Sequence, residues 1–281
     1  MSSPLHSIAV ALMVPGNRPD RFDRAFERCG HAMIIDLEDA VPVAEKPAAR
    51  RHVGNYLSAR SQAQASGHPL VGVRICGLAS QAALDDLVLL RDLENKPDFV
   101  ALPMVESERD VVIARAALGQ ADIPFLAIIE TVEGLDSARS IATVLDGNGG
   151  LGFGAADYCA QTGMAMKPAT LSAARTRIVE AAVIGRVPAF DVPYLDIRDE
   201  DGLAREAALN RELGFSGKLA IHPGQVDTII AAFRPSADEL AGAERIIAAF
   251  EDAGGKAIQV DGRMIDQPLY DQAIALRARG S

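Results

Sequence analysis

Short apolar segments alternate with segments of helical periodicity along most of the chain. The apolar segments are rich in β-branched residues and predict strands at residues 7–14, 32–37, 70–75, 98–102, 125–129, 150–153, 190–194 and 218–221. The segments between them predict helices, among others at residues 18–28, 82–93, 108–118, 134–145, 172–184 and 203–213. Strands that alternate with helices in this way predict an α/β fold with a closed parallel sheet, the (β/α)8 or TIM barrel.

The segment after the last of these strands has a different pattern. It predicts a helix at about residues 237–253, a turn at Gly254 and Gly255, a short strand at residues 257–260 and a last helix from about Pro268. These elements follow a repeat that is already complete. We therefore expect residues 1–230 to form the barrel domain and residues 231–281 to form a C-terminal helical appendage.

Charged residues stand where the predicted strands end. In a barrel of this kind, catalytic groups lie at the carboxyl ends of the strands and in the loops just after them. Buried charge is costly unless it is paired or bound to a metal, so packing alone does not explain these residues. We expect one functional mouth at this end of the barrel. The positions hold Pro15 and Gly16, Asp36 with Glu38 and Asp39, Arg74, Pro103, Glu130, Asp157, Asp196 and His222.

Glu130 and Asp157 are separated by 27 residues, about one strand-and-helix repeat, and should therefore follow neighbouring strands. Two carboxylates that face one cavity suit a hard cation, and Mg²⁺ commonly takes one or two protein carboxylates while water and substrate complete its shell. An acid and base pair without a metal is an alternative. Each residue could instead cap the helix that follows it.

Asp36, Glu38 and Asp39 place three acids within four positions. Asp36 and Glu38 would point to the same side of an extended chain. Arg74, at the end of the next predicted strand, is the candidate ion-pair partner for one of these acids. Its guanidinium could at the same time donate hydrogen bonds to a substrate carboxylate or an enolate oxygen. A purely structural ion pair is the alternative for Arg74.

The composition excludes several classes of protein. The formal net charge of -10 argues against a non-specific nucleic-acid binder, whose affinity comes from Lys and Arg that neutralise phosphates. No apolar stretch approaches the ~20 residues of a membrane span, and no signal core is present, so we expect neither a membrane span nor export. Cys29, Cys76 and Cys159 are widely spaced in apolar settings, which indicates reduced thiols and a cytoplasmic protein.

Two cofactor motifs are incomplete. His222 has no partners at the His and Cys spacings that zinc prefers, so we interpret it as a strand-end hydrogen-bonding residue. Gly152 and Gly154 begin a glycine pattern in which Asp157 stands where the third glycine of G-x-G-x-x-G belongs. Neither zinc nor a nicotinamide cofactor is predicted.

Several of these motifs together resemble the citrate lyase β-subunit-like branch of the HpcH/HpaI aldolase superfamily. Their order and spacing match over almost the whole chain. The matching stretches are residues 14–19, residues 36–41 with Lys46 and Arg50, Val73 with Arg74, residues 102–103 and 105–107, residues 129–131 with Gly134, residues 154–157, residues 217–218 and 221–223, and residues 261–266.

The resemblance implies a Mg²⁺-dependent carbon–carbon lyase. Such an enzyme cleaves or forms the bond between the α-carbon of a thioester and an α-keto acid, on thioesters of the citryl-, malyl- or citramalyl-coenzyme A type. Glu130 and Asp157 match the metal ligands, and Arg74 and Glu130 match residues that contact the keto acid. The further candidates are Arg18 and Asp36 for substrate binding and Glu38, beside Arg74, for catalysis.

The resemblance also gives the tail a role. Asp266 matches an aspartate that coenzyme A-using relatives lend to a neighbouring subunit as an acid/base, and an N-cap for the last helix is the alternative. The partners implied are an acyl-coenzyme A thioester, an α-keto acid and further copies of the chain in a trimer or hexamer. Residues 231–281 would then contribute to the oligomer and to a neighbouring active site.

The chain departs from the family pattern at three positions. Cys76 replaces a common Asn, Met104 replaces the Lys of an LPK motif, and Arg24 replaces a Lys. Three further hypotheses therefore stay open: the β subunit of a citrate lyase that acts on a carrier-protein thioester, a pyruvate aldolase for free hydroxy-keto acids, and a catalytically silent binding protein on the same barrel.

Overall fold

Parallel strands close into an eight-stranded barrel, in which each strand pairs with its neighbours in the sequence and β1 pairs with β8. The computed structural model describes residues 3–60, 68–119 and 122–280. The fold confirms the predicted TIM barrel. Its strands are β1 (Val10–Pro15), β2 (Ala32–Asp36), β3 (Leu70–Arg74), β4 (Phe99–Leu102), β5 (Phe125–Ile129), β6 (Gly149–Phe153), β7 (Ala189–Asp191) and β8 (Gly217–Ala220).

Helices follow the strands and run back along the outside of the barrel. Several begin at residues whose side chains accept a backbone N–H of the first turn, as Ser80 and Thr131 do. Those at residues 46–59, 155–162 and 226–233 were not among the predicted helices. The helices are α1 (Phe22–Arg28), α2 (Lys46–Ala59), α3 (Gln81–Asp92), α4 (Glu108–Ala117), α5 (Val132–Leu145), α6 (Ala155–Thr162), α7 (Pro168–Gly185), α8 (Glu200–Leu213) and α9 (Val226–Phe233).

The barrel interior is packed by side chains that alternate along the strands. Ala32 and Ile34 of β2 point inward, and the next inward position on that strand is Asp36. A Cβ on Gly72 would stand 2.3 Å from the ring of Phe99, which shows that Phe99 occupies the space beside this glycine. The alternation thus fills the lower barrel with apolar groups and turns the last inward residues towards the mouth.

Two barrel strands, β1 and β7, are each two residues shorter than predicted, which is the largest difference among the barrel strands. The predicted strand at residues 7–14 begins at Val10, because residues 4–7 form a 3-10 turn capped by the Ser3 side chain. The strand predicted at residues 190–194 ends at Asp191. Asp196 therefore lies in an exposed loop, where it accepts the backbone N–H of Arg198, and not at the end of a strand.

A buried cluster of charges joins β7 and β8 to the helices outside them. The Asp191 carboxylate accepts Nε and Nη2 of Arg175 on α7 at 3.0 and 2.8 Å and Nζ of Lys218 on β8 at 2.9 Å. Lys218 also donates to Glu206 of α8 at 2.8 Å. Burial alone raises the pKa of Asp191, but the charges of Lys218 and Arg175 outweigh it and hold the pKa below its usual range.

The chain divides into two compact units, of which the first ends with Ile230 and the second begins with Ala231. In the second unit, α10 (Ala237–Asp252) packs on α11 (Gln267–Arg279). A hairpin of β9 (Ile258–Val260) and β10 (Arg263–Ile265) connects them. Asp261 and Gly262 both have positive φ, as a tight hairpin turn requires, and β10 was not among the predicted strands.

Among the described residues, none of the helices combines the length and the apolar character needed to cross a bilayer.

Removal of the negative charge of Asp191 should destabilise the barrel strongly. Asp191→Asn leaves the buried cations Arg175 and Lys218 with only Glu206 as an acidic partner, and breaking a buried ion pair costs about 3–5 kcal/mol. Because the pKa of Asp191 is depressed in the fold, its contribution is present above about pH 4 and lost as the pH falls through the depressed pKa. Urea unfolding at pH 7 measures the loss.

Asp136→Asn is the matched control. Asp136 pairs with Arg177 at 2.7 Å, but both side chains are largely exposed, so this variant should unfold close to the wild-type midpoint. Equal midpoints for the two variants would contradict a stabilising role for the buried cluster.

Candidate active site

A cavity of about 450 Å³ opens at the carboxyl ends of the strands. Among the residues that the structure describes, its polar lining is mostly acidic, with Asp36, Asp39, Glu130 and Asp157 beside one arginine, Arg74. The rest of the lining is apolar and comes from the ends of β1, β5, β6, β7 and β8. It consists of Met13, Val14, Pro15, Ala40, Ile128, Phe153, Gly154, Ala156, Val192, Pro193, Leu195, Leu219 and Ile221.

Arg74 and Asp36 form the ion pair at the centre of one wall. They are paired neighbours in the register of β2 and β3, and both occupy inward positions. Nε and Nη2 of Arg74 donate to the two oxygens of Asp36 at 2.8 and 2.6 Å. Burial by itself lowers the pKa of Arg74, but the hydrogen bonds and charge of Asp36 raise it above its usual range, so this arginine stays charged.

The loop after β2 folds around Asp36. Asp36 accepts the backbone N–H groups of Glu38 and Ala40 at 2.8 and 3.2 Å. Nζ of Lys46 donates to the carbonyls of Leu37 and Glu38 at 2.7 and 2.8 Å. β2 ends at Asp36, so this turn, and not the extended chain that we expected, brings Glu38 to the arginine.

Glu38 completes the set of acids on Arg74. Its Oε2 lies 2.8 Å from Nη1 of Arg74. Burial is the main cause that raises the pKa of Glu38 to about 8, although the charge of Arg74 opposes the shift. Glu38 contacts the outer nitrogen of Arg74 and is not among the residues that line the cavity. Its position indicates a role in holding Arg74.

Glu130 directly follows β5 and is only 5% exposed. Its Oε1 accepts the backbone N–H of Met104 at 3.0 Å. Met104 has φ 52°, a left-handed conformation that is strained for a residue with a side chain, and this geometry aims its N–H at Glu130. On the other side, a Cβ on Gly154 would stand 2.3 Å from Cγ of Glu130, so the glycine provides the space for this carboxylate.

Asp157 lies in the first turn of α6 and is exposed at the mouth. Burial is the largest cause of a raised pKa at Glu130, and the nearby Asp157 raises it further, while Met104 and Arg74 oppose the rise. A buried carboxylate whose charge is disfavoured by its surroundings, with a second carboxylate beside it, is suited to bind a cation.

The donor set fits Mg²⁺ better than a metal that needs more protein ligands. No group of three or more His, Cys, Asp or Glu residues in residues 3–60, 68–119 and 122–280 is arranged to hold a metal ion. Glu130 and Asp157 would supply two oxygens, and Mg²⁺ commonly leaves its other positions to water and substrate. Glu130 and Asp157 are therefore the residues that could hold a metal here.

Other candidates form local hydrogen bonds within their own units, and Arg18 is not among the residues that line the cavity. Arg18 is exposed, and its Nε and Nη2 donate to the two carboxylate oxygens of Asp20 at 2.9 and 2.7 Å. Asp266 belongs to the second unit, where its Oδ1 accepts the N–H of Leu269 as the N-cap of α11. His222 accepts the N–H of Gly224, which matches its interpretation as a strand-end hydrogen-bonding residue.

Several supporting residues had not been singled out. Asp86 of α3 is fully buried, pairs with Arg50 at 2.6 Å and accepts the N–H of Cys76 at 2.8 Å. Gln225 accepts the N–H of Ile221 and donates to the Tyr194 carbonyl. The sequence does contain one indication of the supporting role of Asp86, because this acidic residue lies on the apolar face of a predicted helix.

Two family models match the sequence. The model of the HpcH/HpaI aldolase/citrate lyase family matches residues 10–223, more than half of the chain. A model of a C–C bond lyase of the TIM-barrel fold matches residues 172–275 and therefore includes part of the second unit.

Individual proteins are similar over nearly their full length. Citrate lyase subunit beta of Haemophilus influenzae is 32% identical, over 93% of this chain and 93% of its own. A (3S)-malyl-CoA thioesterase of Cereibacter sphaeroides is 32% identical, over 95% of this chain and 92% of its own. The crystal structure of protein CitE from Mycobacterium tuberculosis with magnesium, acetoacetate and coenzyme A has 30% identity, a TM-score of 0.81 and 97% coverage of both chains.

Gly154→Ala should weaken divalent-cation binding without removing any polar group. The new Cβ would stand 2.4 Å from Oε2 of Glu130 and force that carboxylate away from Asp157. Displacing a metal ligand through its surroundings typically costs about 10- to 100-fold in affinity. Titration calorimetry with Mg²⁺ or Mn²⁺ measures the change.

Gly77→Ala is the control at the same end of the barrel. A Cβ there finds its nearest atoms in the Met104 side chain at 3.9 and 4.0 Å, which is ordinary contact, so cation affinity should remain at the wild-type level. Unchanged affinity in Gly154→Ala would argue against Glu130 as a cation ligand.

Proposed function

The chain belongs to the HpcH/HpaI aldolase/citrate lyase family, and on that premise we propose that it is a Mg²⁺-dependent carbon–carbon lyase. Its substrate would be a β-hydroxyacyl thioester of the citramalyl-, malyl- or citryl-coenzyme A type. The products of cleavage would be an acyl thioester and an α-keto acid. The same enzyme would form the thioester in the reverse direction.

The observation that carries this proposal is the pair Glu130 and Asp157 beside Arg74 in one cavity. A keto acid needs a cation for its adjacent carboxylate and keto oxygens and a hydrogen-bond donor for the charge that develops. The CitE structure, with 30% identity to this chain, contains magnesium, acetoacetate and coenzyme A. Its magnesium and coenzyme A support the metal and the thioester half of the proposed substrate.

Glu130 and Asp157 are the proposed holders of Mg²⁺. When bound there, Mg²⁺ supplies a Lewis acid that polarises the keto or hydroxyl oxygen of the acid half. The Met104 N–H and the space left by Gly154 keep Glu130 in one orientation. This preorganisation limits the reorganisation that cation binding would otherwise require.

Cleavage breaks the bond between the α-carbon of the thioester and the carbon that carries the hydroxyl group. The electron pair stays with the thioester as an enolate, the hydroxyl proton passes to water as the keto group forms, and the α-carbon takes up a proton from the acid that we assign to Asp266. The hydrogen bonds of Arg74 to Asp36 use two of its five N–H groups, and its Nη1 lies 2.8 Å from Oε2 of Glu38 in an ion pair. We assign the remaining N–H groups to the oxygen on which charge grows.

Hydrolysis of the thioester is the second candidate. It is favoured by the 32% identity to a (3S)-malyl-CoA thioesterase. A thioesterase yields free coenzyme A and the intact hydroxy acid, whereas a lyase yields an acyl-coenzyme A and a keto acid. The two activities are therefore separated by their products.

A panel of malyl-, citramalyl- and citryl-coenzyme A tests the proposal. With MgCl2 present, we expect at least one thioester to give an acyl-coenzyme A and a keto acid, detected by chromatography and mass spectrometry. With EDTA in place of the metal, turnover should fall by more than about 100-fold, because Lewis-acid stabilisation is worth several kcal/mol. Free coenzyme A as the main product would favour the thioesterase. No turnover of any member with Mg²⁺ present would contradict both.

Asp266→Asn tests the proposed role of Asp266 as the acid that exchanges the proton of the enolate carbon. Asn caps a helix as well as Asp does, so α11 should keep its start while the exchangeable proton is lost. We expect thioester cleavage to fall by about 100-fold or more with unchanged Mg²⁺ affinity. Weaker Mg²⁺ binding, or wild-type cleavage, would count against this role.

A further inference from the structure

Arg74 is the single cationic side chain among the described residues that line the cavity. A substrate with two carboxylates needs two positive centres at the site, one for each anion. Mg²⁺ at Glu130 and Asp157 would serve the carboxylate next to the keto group. A second carboxylate would then depend on Arg74.

The positive charge of Arg74 is already balanced by acidic side chains and is not available to a second substrate carboxylate. Its Nε and Nη2 engage both oxygens of Asp36, which alone balances its charge, and its Nη1 lies 2.8 Å from Glu38. The unused N–H groups can still bond to a keto or enolate oxygen. They cannot neutralise a further full negative charge in this setting.

The remaining lining would disfavour a second anion as well. Asp39, 71% exposed in its side chain, adds a negative charge at the rim. The other walls, including Val192, Leu195 and Ile221, offer no charged partner and would only remove water from the carboxylate. Apolar walls of this kind suit hydrogen or a small alkyl group instead.

We infer that the keto-acid half of the substrate carries one carboxylate and hydrogen or a small alkyl group, as in glyoxylate or pyruvate, and not a second carboxylate as in oxaloacetate. The inference rests on the proposed lyase function and deepens it. It selects thioesters of the malyl or citramalyl type over the citryl type.

Binding of keto acids to the full-length protein in saturating MgCl2 tests this inference directly. We expect calorimetry to give oxaloacetate a dissociation constant at least about tenfold above that of pyruvate, because an unpaired buried carboxylate loses its hydration without compensation. 4-Methyl-2-oxopentanoate, whose two terminal methyl groups replace the second carboxylate's oxygens, separates charge from size. It should bind more tightly than oxaloacetate.

A cation added to the wall should relieve the discrimination. Leu195 lines the cavity, is 59% exposed and lies in the loop after β7, so a longer side chain can be accommodated there. Leu195→Arg should lower the ratio of the oxaloacetate dissociation constant to that of pyruvate by about two- to fivefold. Circular dichroism and thermal unfolding show whether the variant is folded.

Two matched variants separate the effect of a positive charge at the cavity wall from the effects of side-chain length and of net charge. Leu195→Gln has similar length without the charge and should bind oxaloacetate as weakly as the wild type does. Val183→Arg adds the same charge in the last turn of α7, at the opposite end of the barrel, and should change nothing. An equal gain in either control would overturn the assignment to the cavity wall.

The outcomes separate this inference from the proposed function. Lyase turnover of citryl-coenzyme A as fast as that of the malyl and citramalyl thioesters would overturn the inference and leave the lyase proposal intact. If the protein binds pyruvate more tightly than oxaloacetate but cleaves no thioester, the inference would be supported and the lyase proposal would be contradicted. Oxaloacetate that binds as tightly as pyruvate, or weak binding of 4-methyl-2-oxopentanoate equal to that of oxaloacetate, would overturn the charge argument.

Discussion

The ion pair between Asp36 and Arg74 is the interaction on which the candidate site depends. Strand register places the two residues side by side, and inward alternation turns both into the mouth. The same Asp36 oxygens organise the loop that carries Glu38, so one carboxylate fixes both an arginine and a turn. A buried guanidinium held on two sides cannot swing to follow a ligand. The site therefore recognises shape and hydrogen-bonding geometry with a rigid cation.

The barrel, its strand order and the cavity residues Asp36, Arg74, Glu130 and Asp157 followed from the sequence, because apolar alternation fixes which residues face inward and parallel strands end at one rim. The short β7 did not follow. The apolar run after Asp191 looks like strand, but Pro193 has no N–H to donate to a neighbouring strand, and β7 ends at Asp191. The support of Glu130 by Met104 and Gly154 could not be predicted either, because the residue types alone reveal neither the backbone conformation of Met104 nor the space beside Gly154.

Buried charge serves two different ends in this barrel. Outside β7 and β8, the acids and cations of the buried cluster satisfy one another and tie the strands to α7 and α8. Among the described residues at the mouth, acids outnumber the one arginine, and burial together with the neighbouring Asp157 raises the pKa of Glu130. Packing alone does not explain this excess of acidic side chains, whose positions are fixed by hydrogen bonds. Compensated charge marks structure here, and uncompensated charge marks the place where a ligand is expected.

Met104 supports the site through its backbone and not through its side chain. Its backbone N–H supports Glu130, while its side chain is 43% exposed. The amide contribution is common to every residue type except proline, and only the side chain differs from one to the next. A substitution at position 104 can therefore change the exposed side chain while the amide that orients Glu130 is preserved. The backbone support of Glu130 and the surface chemistry at this position are thus set independently of each other.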